Sequence, residues 1–373
     1  MIIGLLKEKE KRVALLPESV ATLVGLKANV IVETGAGEGA FAFDDDYKKA
    51  GAEIDTKENV ISKSQLLIKI NPPEKEELAK FKESQVLLAV LNPYFNSELI
   101  KELATKNITS FSLDVIPRTS RAQAMDILSS MATVAGYKAV LTAANSLPKF
   151  FPMFMTAAGT ITPAKVLIMG AGVAGLQALA TSRKLGAVVE VFDVRAAVKE
   201  EVMGLGGKFV EVEGAIDDKA AGGYAVEQTD EFKQRQAQAI HDHAVKSDVV
   251  ICTAQIPGKK APVLIKTATV EAMKPGAVII DIAASTGGNC ELTKNNETVI
   301  HNGVKIIGNS FFAVDMPSDA SKMFGKNVIN FLKLMINKEG GLNLNWEDDI
   351  VKGTAVTHNK EIVHERIKSF INK

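Results

Sequence analysis

Short apolar runs alternate with helix-like patterns along the first third of the chain. Continuous apolar runs are typical of buried strands, whereas apolar positions that recur every three or four residues are typical of helices. By these criteria, strands are predicted at residues 2–6, 30–32, 66–70, 86–90 and 110–113, and helices at residues 19–26 and 43–52. Strands that alternate with helices of this length predict βαβ units and a parallel sheet.

A second block of the same kind follows a helical segment in the middle of the chain. The helical pattern covers residues 121–144, and further strands are predicted at residues 166–169, 188–192, 249–253, 277–281 and 304–307. Another helical pattern covers residues 318–337, and a polar tail that contains Trp346 follows it.

This order of elements predicts that the second block is inserted into the first. The first domain would comprise residues 1–130 plus 318–373, and the second would comprise residues 131–317. The expected fold class is α/β, with two doubly wound Rossmann-like domains that have parallel sheets and are joined by the two long helices. A cleft between two such domains is a usual place for a ligand.

Composition narrows the class of protein. Of the 373 residues, 46% are hydrophobic and 24% are charged, as in soluble globular proteins. The chain has 44 basic and 44 acidic residues, and a formal net charge of zero does not predict nucleic-acid binding. No run of about 20 mostly apolar residues is evident, and the charged N-terminus does not resemble a signal peptide, so neither a membrane span nor secretion is predicted.

The spacing of cysteines and histidines does not predict a metal site. Cys252 and Cys290 form no CxxC pair. His241 and His243 lie two residues apart on a predicted helix and would point to different faces. We therefore expect no metal, and two ordinary thiols in a reducing compartment.

The strongest local signal is a G-x-G-x-x-G motif formed by Gly170, Gly172 and Gly175, between a predicted strand and a predicted helix. In dinucleotide-binding proteins, the first glycine allows a tight turn, the second lets the backbone approach a pyrophosphate, and the third allows close packing of helix and strand. The helix N-terminus then offers free N–H groups to the phosphates. The alternative is a tight turn whose glycines serve packing only.

An acidic residue follows at the spacing expected for ribose recognition. Asp193 ends the second strand of the block, 193 − 175 = 18 residues after Gly175. A carboxylate there would bind a ribose 2′-hydroxyl and repel a 2′-phosphate, which favours NAD(H) over NADP(H). Arg195 could instead receive a 2′-phosphate, so the preference stays open.

The segment from Arg118 to Ser129 is unusually polar for the entrance to a buried helix. Gln123, Asp126 and Ser129 are spaced three residues apart and would share one face of a helix. Together with Arg118, they could hold a carboxamide and fix a ring in place. The alternative is a capped helix start, with Ser120 as the N-cap and Gln123 as its capping-box partner.

Two basic residues and one loop leave their roles open. Lys69, at the end of a predicted strand, could meet a substrate or could be an ordinary solvated lysine, and the same alternatives hold for Arg12. Gly223 and Tyr224 lie in the polar stretch 214–235, which could be a lid or a plain surface loop.

With these motifs, the chain resembles a known family over almost its whole length: the soluble NAD(H)-binding component of proton-translocating NAD(P) transhydrogenases. The opening and the phosphate loop are shared with alanine dehydrogenases, which the chain also resembles. The segments that carry the resemblance are residues 4–8, 12–20, 118–129, 135–137, 155–160, 169–175, 193–195, 221–225 and 256–258.

The resemblance implies a role for each candidate site residue. The nicotinamide would be positioned by Arg118, Gln123, Asp126 and Ser129. The pyrophosphate would lie against Gly170, Gly172, Val173 and Gly175, and the adenosine ribose against Asp193, Val194 and Arg195. Gly223 and Tyr224 would lie on a mobile loop, and Gln255 would follow a strand end near the cofactor.

The resemblance also implies a reaction and partners. NADH bound here would give its hydride to NADP⁺ on an NADP(H)-binding beta subunit, and a membrane-spanning alpha/beta component would couple the transfer to proton movement. The chain would be active only with these partners, as a homodimer and a peripheral member of a complex at the cytoplasmic face of the inner membrane.

Two other classes of function compete with this one. Alanine dehydrogenases have a lysine and a histidine that bind substrate and move protons. Lys69 matches the lysine, but Asn92 stands at the histidine position, and an amide cannot act as a general acid near neutral pH. The third class, a module that only senses NADH, would not need the set of Arg118, Gln123 and Asp126.

Overall fold

The computed structural model describes residues 1–214, 229–255 and 259–371. The chain divides into two compact units. The first unit comprises Met1–Met131 and Val314–Lys373, and the second comprises Ala132–Ala313.

The first unit begins with strands and helices in strict alternation until its sixth strand. The strands are β1 (Ile2–Leu5), β2 (Asn29–Glu33), β3 (Glu53–Asp55), β4 (Leu66–Ile68), β5 (Val86–Ala89) and β6 (Thr109–Ser112). The helices are α1 (Pro17–Gly25), α2 (Asp44–Lys49), α3 (Lys57–Lys63), α4 (Lys75–Lys80) and α5 (Ser97–Thr105). Next comes α6 (Ile127–Ser146), which contributes residues to both units.

The second unit opens with a hairpin and continues with a βα series. Its strands are β7 (Phe154–Thr156), β8 (Gly159–Ile161), β9 (Lys165–Met169), β10 (Val188–Phe192), β11 (Lys208–Phe209), β12 (Val249–Cys252), β13 (Val278–Asp281), β14 (Thr298–His301) and β15 (Val304–Gly308). Its helices are α7 (Val173–Lys184), α8 (Lys199–Gly204), α9 (Asp230–Lys246) and α10 (Thr267–Ala272).

The chain then returns to the first unit. The returning elements are α11 (Pro317–Leu332), α12 (Asp349–Thr354), β16 (Ala355–His358), β17 (Glu361–Ile362) and α13 (Glu365–Ile371).

Each unit contains one large sheet, and the first strands of the two sheets are arranged in the same order. The first sheet has the order β17-β16-β6-β5-β4-β1-β2-β3, and the second has the order β11-β10-β9-β12-β13-β15-β14. Pairing is parallel except at one edge of each sheet, where β16 and β14 run antiparallel to their neighbours. The prediction of two doubly wound α/β domains is confirmed. In such sheets, ligands bind at the carboxyl ends of the strands where the order reverses, here between β1 and β4 and between β9 and β12.

The central strands are apolar along their whole length because helices cover both faces of each sheet. In β4, for example, Leu66, Leu67 and Ile68 are all 0% exposed. Leu66 and Ile68 face the cluster that includes Phe324 and Phe331 of α11, whereas Leu67 faces the opposite cluster.

The C-terminal tail differs from its prediction as a polar tail. The helix predicted to reach residue 337 ends at Leu332, and the tail contributes β16, which pairs antiparallel with β6. Trp346 stacks on Phe111 of β6, with ring centroids 6.2 Å apart, and Phe111 also meets Phe331 at 5.8 Å. The pairing joins segments about 250 residues apart, which a local pattern does not reveal.

Helix α6 meets the length and composition of a membrane span, in contrast to the expectation from the sequence. Core helices of soluble proteins meet the same criteria, so one such helix does not establish a span. Ala139, Val140 and Ala143 of this helix are 0% exposed and belong to the apolar core of the second unit.

Replacement of Phe111 tests the contribution of the tail to the first unit. Phe111→Ala should lower the free energy of unfolding by about 3–5 kcal/mol, because it leaves a cavity between α11 and the tail. Phe95→Ala is the control: this ring is 67% exposed, and its loss should change stability by no more than about 0.5 kcal/mol. Urea unfolding measures both variants, and equal losses would contradict the packing of Phe111 against Phe331 and Trp346.

Candidate functional site

The glycine loop joins β9 to α7 through a close approach of backbone to backbone. Gly170 has a φ of +102°, which favours glycine. A Cβ on Gly175 would lie 1.8 Å from the carbonyl oxygen of Gly170, so no side chain fits there. Thr253, directly after β12, donates its hydroxyl to the carbonyls of Met169 and Gly170, at 3.1 Å each. The loop is thereby tied to the strand on the other side of the order reversal.

Gly172 differs from its two partners because its surroundings are open. It is the N-cap residue of α7, and a Cβ on it would meet no atom of the described residues within 4 Å. Val173, the first residue of the helix, is 42% exposed. An open helix N-terminus of this kind presents unsatisfied N–H groups and a positive dipole end, which suits a phosphate.

Asp193 follows β10 beside the loop, but its carboxylate already has partners. One oxygen accepts a hydrogen bond from the backbone N–H of Ala171 at 2.7 Å. Arg195 donates from Nε to Oδ1 at 2.9 Å and from Nη2 to Oδ2 at 2.7 Å. A ribose hydroxyl would therefore have to share this carboxylate with Arg195 or displace it. Val194, between them, is half-buried against the core of the second unit.

The structure shows few contacts for the other site residues predicted in the second unit. Gln255 is exposed beyond the end of β12, and its Nε2 lies 3.5 Å from the hydroxyl of Thr286. Gly223 and Tyr224 lie outside the described residues, as does the segment 256–258.

Two polar residues that sequence reasoning missed support the end of β12. Asn289 accepts a hydrogen bond from Ala254 N–H at 2.9 Å and donates to the carbonyls of Ala254 and Pro262. Asp281, 0% exposed, accepts from the N–H groups of Asn289 and Cys290. Burial raises the pKa of Asp281 despite these bonds. An acidic residue at the end of an apolar strand was the available signal.

The segment 118–129 lies in the first unit and does not form one continuous helix. Ser120–Met125 is a 3-10 helix, and its N-cap is Thr119, without a side-chain cap. The alternative of a capped helix start, with Ser120 as the N-cap and Gln123 as its partner, is therefore wrong. Asp126 has extended backbone dihedrals (φ −75°, ψ 93°), so Gln123, Asp126 and Ser129 do not share a face of one helix.

Asp126 instead caps the start of α6. Its Oδ1 accepts a hydrogen bond from Ser129 N–H at 2.9 Å, and its Oδ2 accepts from the Ser129 hydroxyl at 2.6 Å. This is the geometry of an N-cap, which satisfies backbone donors that lack partners within the helix. The spacing of Asp126 and Ser129 thus has a structural cause. Gln123 and Arg118 are exposed, and within the described residues the Gln123 side chain makes no hydrogen bond.

A buried ion pair holds Lys69 just after β4. Its side chain is 4% exposed, and its Nζ lies 2.5 Å from Oε2 of Glu77. Lys57 donates to Oε1 of Glu77 at 2.9 Å. Burial opposes ionisation of Glu77, but the bonds from the two lysines prevail and lower the pKa of this carboxyl. The alternative of a solvated Lys69 is therefore wrong.

More charged groups surround the order reversal between β1 and β4. Arg12 is 8% exposed and donates from Nη2 to Glu10 at 2.5 Å. Glu8 accepts from the N–H of Ile70 at 2.5 Å, and burial raises the pKa of this carboxyl although Lys69 opposes the effect. Lys69 and Arg12 thus both have carboxylate partners in the same unit. In the described segments of the chain, no three His, Cys, Asp or Glu side chains group as metal ligands.

Two family models match the chain. "Alanine dehydrogenase/PNT, N-terminal domain" matches residues 5–135, and "Alanine dehydrogenase/PNT, C-terminal domain" matches residues 139–365.

Individual relatives match over nearly the full length. The chain is 46% identical to the first portion of the NAD(P) transhydrogenase alpha subunit of Rhodospirillum rubrum, over 98% of both chains. A solved structure of a transhydrogenase from Sinorhizobium meliloti superposes with a TM-score of 0.90 at 41% identity and covers 97% of this chain and 100% of that one. Alanine dehydrogenase of Mycolicibacterium smegmatis is more distant, 32% identical over 77% of this chain and 74% of its own length.

The fold and the loop define a class of α/β protein with two Rossmann-like units, one of which has the phosphate loop of dinucleotide-binding proteins. Within that class, the chain belongs to the alanine dehydrogenase/PNT family.

Two glycine variants separate ligand binding from packing. Gly172→Ala should weaken NADH binding about tenfold or more, because the new methyl group would occupy the space where the backbone approaches the pyrophosphate. Its thermal midpoint should stay near that of the wild type, since the methyl would meet no atom of the described segments within 4 Å. Gly175→Ala should lower the free energy of unfolding by about 1–3 kcal/mol or more through overpacking. NADH fluorescence titration and thermal unfolding measure both, and normal NADH binding by Gly172→Ala would remove that glycine from the site.

The ion pair at Lys69 predicts an acid-sensitive contribution to stability. Glu77→Leu should lower the free energy of unfolding by about 3–5 kcal/mol, because it leaves the buried ammonium of Lys69 without its closest partner. The double variant Glu77→Leu/Lys69→Met should recover some of that loss. Because the pKa of Glu77 is lowered in the folded state, the ionised carboxylate stabilises the fold fully at pH values above the ordinary glutamate pKa. This stabilisation is lost as the pH falls through the folded-state pKa.

Urea unfolding between neutral and acidic pH tests this expectation. Lys101→Ala breaks the exposed pair with Glu98 and should change stability by no more than about 0.5 kcal/mol. A similar cost for Lys101→Ala and Glu77→Leu would contradict a special role for the buried pair.

Proposed function

We propose that this chain is the NAD(H)-binding component of a proton-translocating NAD(P) transhydrogenase, and that hydride passes from its NADH to NADP⁺ on a partner subunit. The observation that carries the proposal is the exposed Gln123 carboxamide on a turn that lies just before the α6 cap. A carboxamide can pair with the amide of a nicotinamide and orient the ring, but it cannot exchange a proton near neutral pH. The full-length likeness to the Rhodospirillum rubrum subunit supports the same interpretation.

Positioning is the chemistry that such a reaction requires. The nicotinamide supplies the hydride, and transfer between two rings depends on their distance and orientation. The open surroundings of Gly172 at the start of α7 fit a pyrophosphate. Asp193, with Val194 and Arg195, would hold the adenosine ribose, and Gly170, Val173 and Gly175 would complete the phosphate loop. Arg118, Gln123, Asp126 and Ser129 would hold the nicotinamide, with Asp126 and Ser129 fixing the backbone that presents Gln123. Gly223, Tyr224 and Gln255 remain proposed cofactor contacts.

The proposed partners follow from the same assignment. NADP(H) would be bound by a beta subunit, and a membrane-spanning alpha/beta component would couple hydride transfer to proton translocation. We place the chain at the cytoplasmic face of the inner membrane, held there by the complex, and we assign the Si-specific/Re-specific reaction type, active only with these partners.

A homodimer belongs to the proposal, and the hairpin of β7 and β8 supports it. Phe150, Phe154 and Met155 are 54%, 42% and 81% exposed, and the two phenylalanine rings lie 4.8 Å apart. An isolated two-stranded hairpin is marginally stable in water. Exposed apolar surface of this kind marks an interaction site, and a second copy of the chain is the partner that we propose.

Amino-acid oxidation is the second candidate, and one observation favours it. An open depression of about 540 Å³ near Glu8 and Glu10 in the first unit has room for a small substrate. Against this candidate, Lys69 is buried in its pair with Glu77. Asn92 is exposed at the position of the expected acid and has no titratable proton near neutral pH.

A pair of assays separates the candidates. NADH should bind to the isolated chain, and addition of pyruvate and ammonium should cause no loss of NADH absorbance. With its NADP(H)-binding and membrane components, the chain should form NADPH from NADH and NADP⁺. Chromatography must separate the two reduced nucleotides because they absorb alike.

Gln123→Ala provides the site-specific arm of the test. It should slow NADPH formation by about a hundredfold, because a ring misplaced by about 1 Å transfers hydride poorly, while NADH affinity changes less than threefold. Steady oxidation of NADH with pyruvate and ammonium would instead establish an amino-acid dehydrogenase.

A further inference from the structure

Two asparagines of α11 hold the turn that carries Gln123. Asn327 donates from Nδ2 to the carbonyl oxygen of Ala124 at 2.8 Å, and Asn330 donates to the same oxygen at 3.1 Å. Residues three apart lie on one face of a helix, so both amides converge on one carbonyl. Ala124 directly follows Gln123, so the fixed carbonyl lies one residue beyond the exposed side chain.

If packing were its only role, Asn327 would be an unfavourable residue at this position. The residue is 7% exposed and lies between Lys326 and Val328 in a helix whose inner face is apolar. Among the described residues, its buried Oδ1 has no hydrogen-bond partner. A buried acceptor without a partner is destabilising, and an aliphatic side chain of similar size would avoid that cost. The bond to Ala124 is the contact that an aliphatic residue could not make.

The other end of the turn is held independently. Arg121 donates from Nη1 and Nη2 to the two carboxylate oxygens of Asp348, at 2.7 and 2.9 Å, and it also pairs with Asp349. Asp348 in turn caps α12 by accepting from the N–H groups of Ile350 and Val351. The turn is therefore anchored through a side chain before Gln123 and through a carbonyl after it, and the buried Ala122 and Met125 lie on either side.

We propose that Asn327, with Asn330 as its second donor, is a positioning residue for hydride transfer: it fixes the Ala124 carbonyl and thereby the direction of the Gln123 carboxamide. This inference rests on the proposed function, since it assigns to Gln123 the orientation of the nicotinamide. Asn327 acts through Gln123 and touches no reacting atom.

Asn327→Leu is the direct test, because it removes the donor and the unpaired oxygen while it keeps the number and branching of the side-chain heavy atoms. In the complete complex, its rate of NADPH formation should fall about tenfold, while the NADH dissociation constant stays within about twofold of the wild type. Asn330→Ala should have a smaller effect, and the double variant should be slower than either. Hydrogen exchange of the amides at residues 121–126 should become faster in Asn327→Leu.

Gln85→Leu is the matched control. Gln85 is 5% exposed and donates to the carbonyls of Ile61 and Ser64, at 2.6 and 2.8 Å. It precedes β5, at the amino ends of the parallel strands, whereas the turn follows the carboxyl end of β6. Gln85→Leu should lower stability and leave both NADPH formation and exchange at residues 121–126 unchanged.

The outcomes separate this inference from the proposed function. A normal transfer rate in Asn327→Leu, or an equal loss in Gln85→Leu, would overturn the positioning role. If the wild-type complex formed no NADPH at all, the proposed function would fall. Amide hydrogen exchange at residues 121–126 would then still test whether Asn327 holds the turn. Unchanged exchange in Asn327→Leu would refute that claim.

Discussion

The second unit depends on one backbone contact, the approach of Gly175 to the carbonyl of Gly170. Because no Cβ intervenes at Gly175, the first turn of α7 lies directly against the end of β9. A second close contact adds to this: a Cβ on Gly136 of α6 would lie 2.2 Å from the carbonyl of Ala174. Helix α7 is thus packed closely on two sides at its N-terminus. At Gly172, by contrast, no atom of the described residues lies within 4 Å of the position that a Cβ would take.

The two units have the same strand order but carry different chemical groups at the point where that order reverses. In the second unit, the reversal between β9 and β12 carries backbone N–H groups, the hydroxyl of Thr253 and one shared carboxylate, Asp193. In the first unit, the reversal between β1 and β4 is surrounded by Glu8, Arg12 and Lys69. Arg12 and Lys69 pair with carboxylates, and Glu8 accepts from the N–H of Ile70. Cations that already have carboxylate partners bind an added small acid less readily than free ones. This agrees with the role proposed for the first unit, orientation of a nicotinamide by the turn that carries Gln123.

Asp193 and Asp126 show why residue type and spacing do not fix a role. Asp193 was a candidate contact for the cofactor because of its distance from the glycine motif, and Asp126 because of its three-residue spacing from Gln123 and Ser129. In the structure, Asp126 caps α6 through Ser129, and Asp193 pairs with Arg195 and Ala171. These bonds orient each carboxylate before any ligand arrives, so each can serve the site through the backbone that it fixes as well as by direct contact.

The sequence alone determined the fold class and the place of the phosphate loop. Apolar runs and glycine spacing are local signals, and burial of strands on both faces makes them strong. It also indicated the family through motifs spread over the chain. Only the tertiary structure decided the break at Asp126, the burial of Lys69 with Glu77, the return of the tail as β16 beside β6, and the convergence of Asn327 and Asn330 on Ala124. The break at Asp126 depends on the backbone angles of one residue, and the other three features depend on which segments the fold brings together. Neither leaves a periodic trace in the pattern of apolar and polar positions.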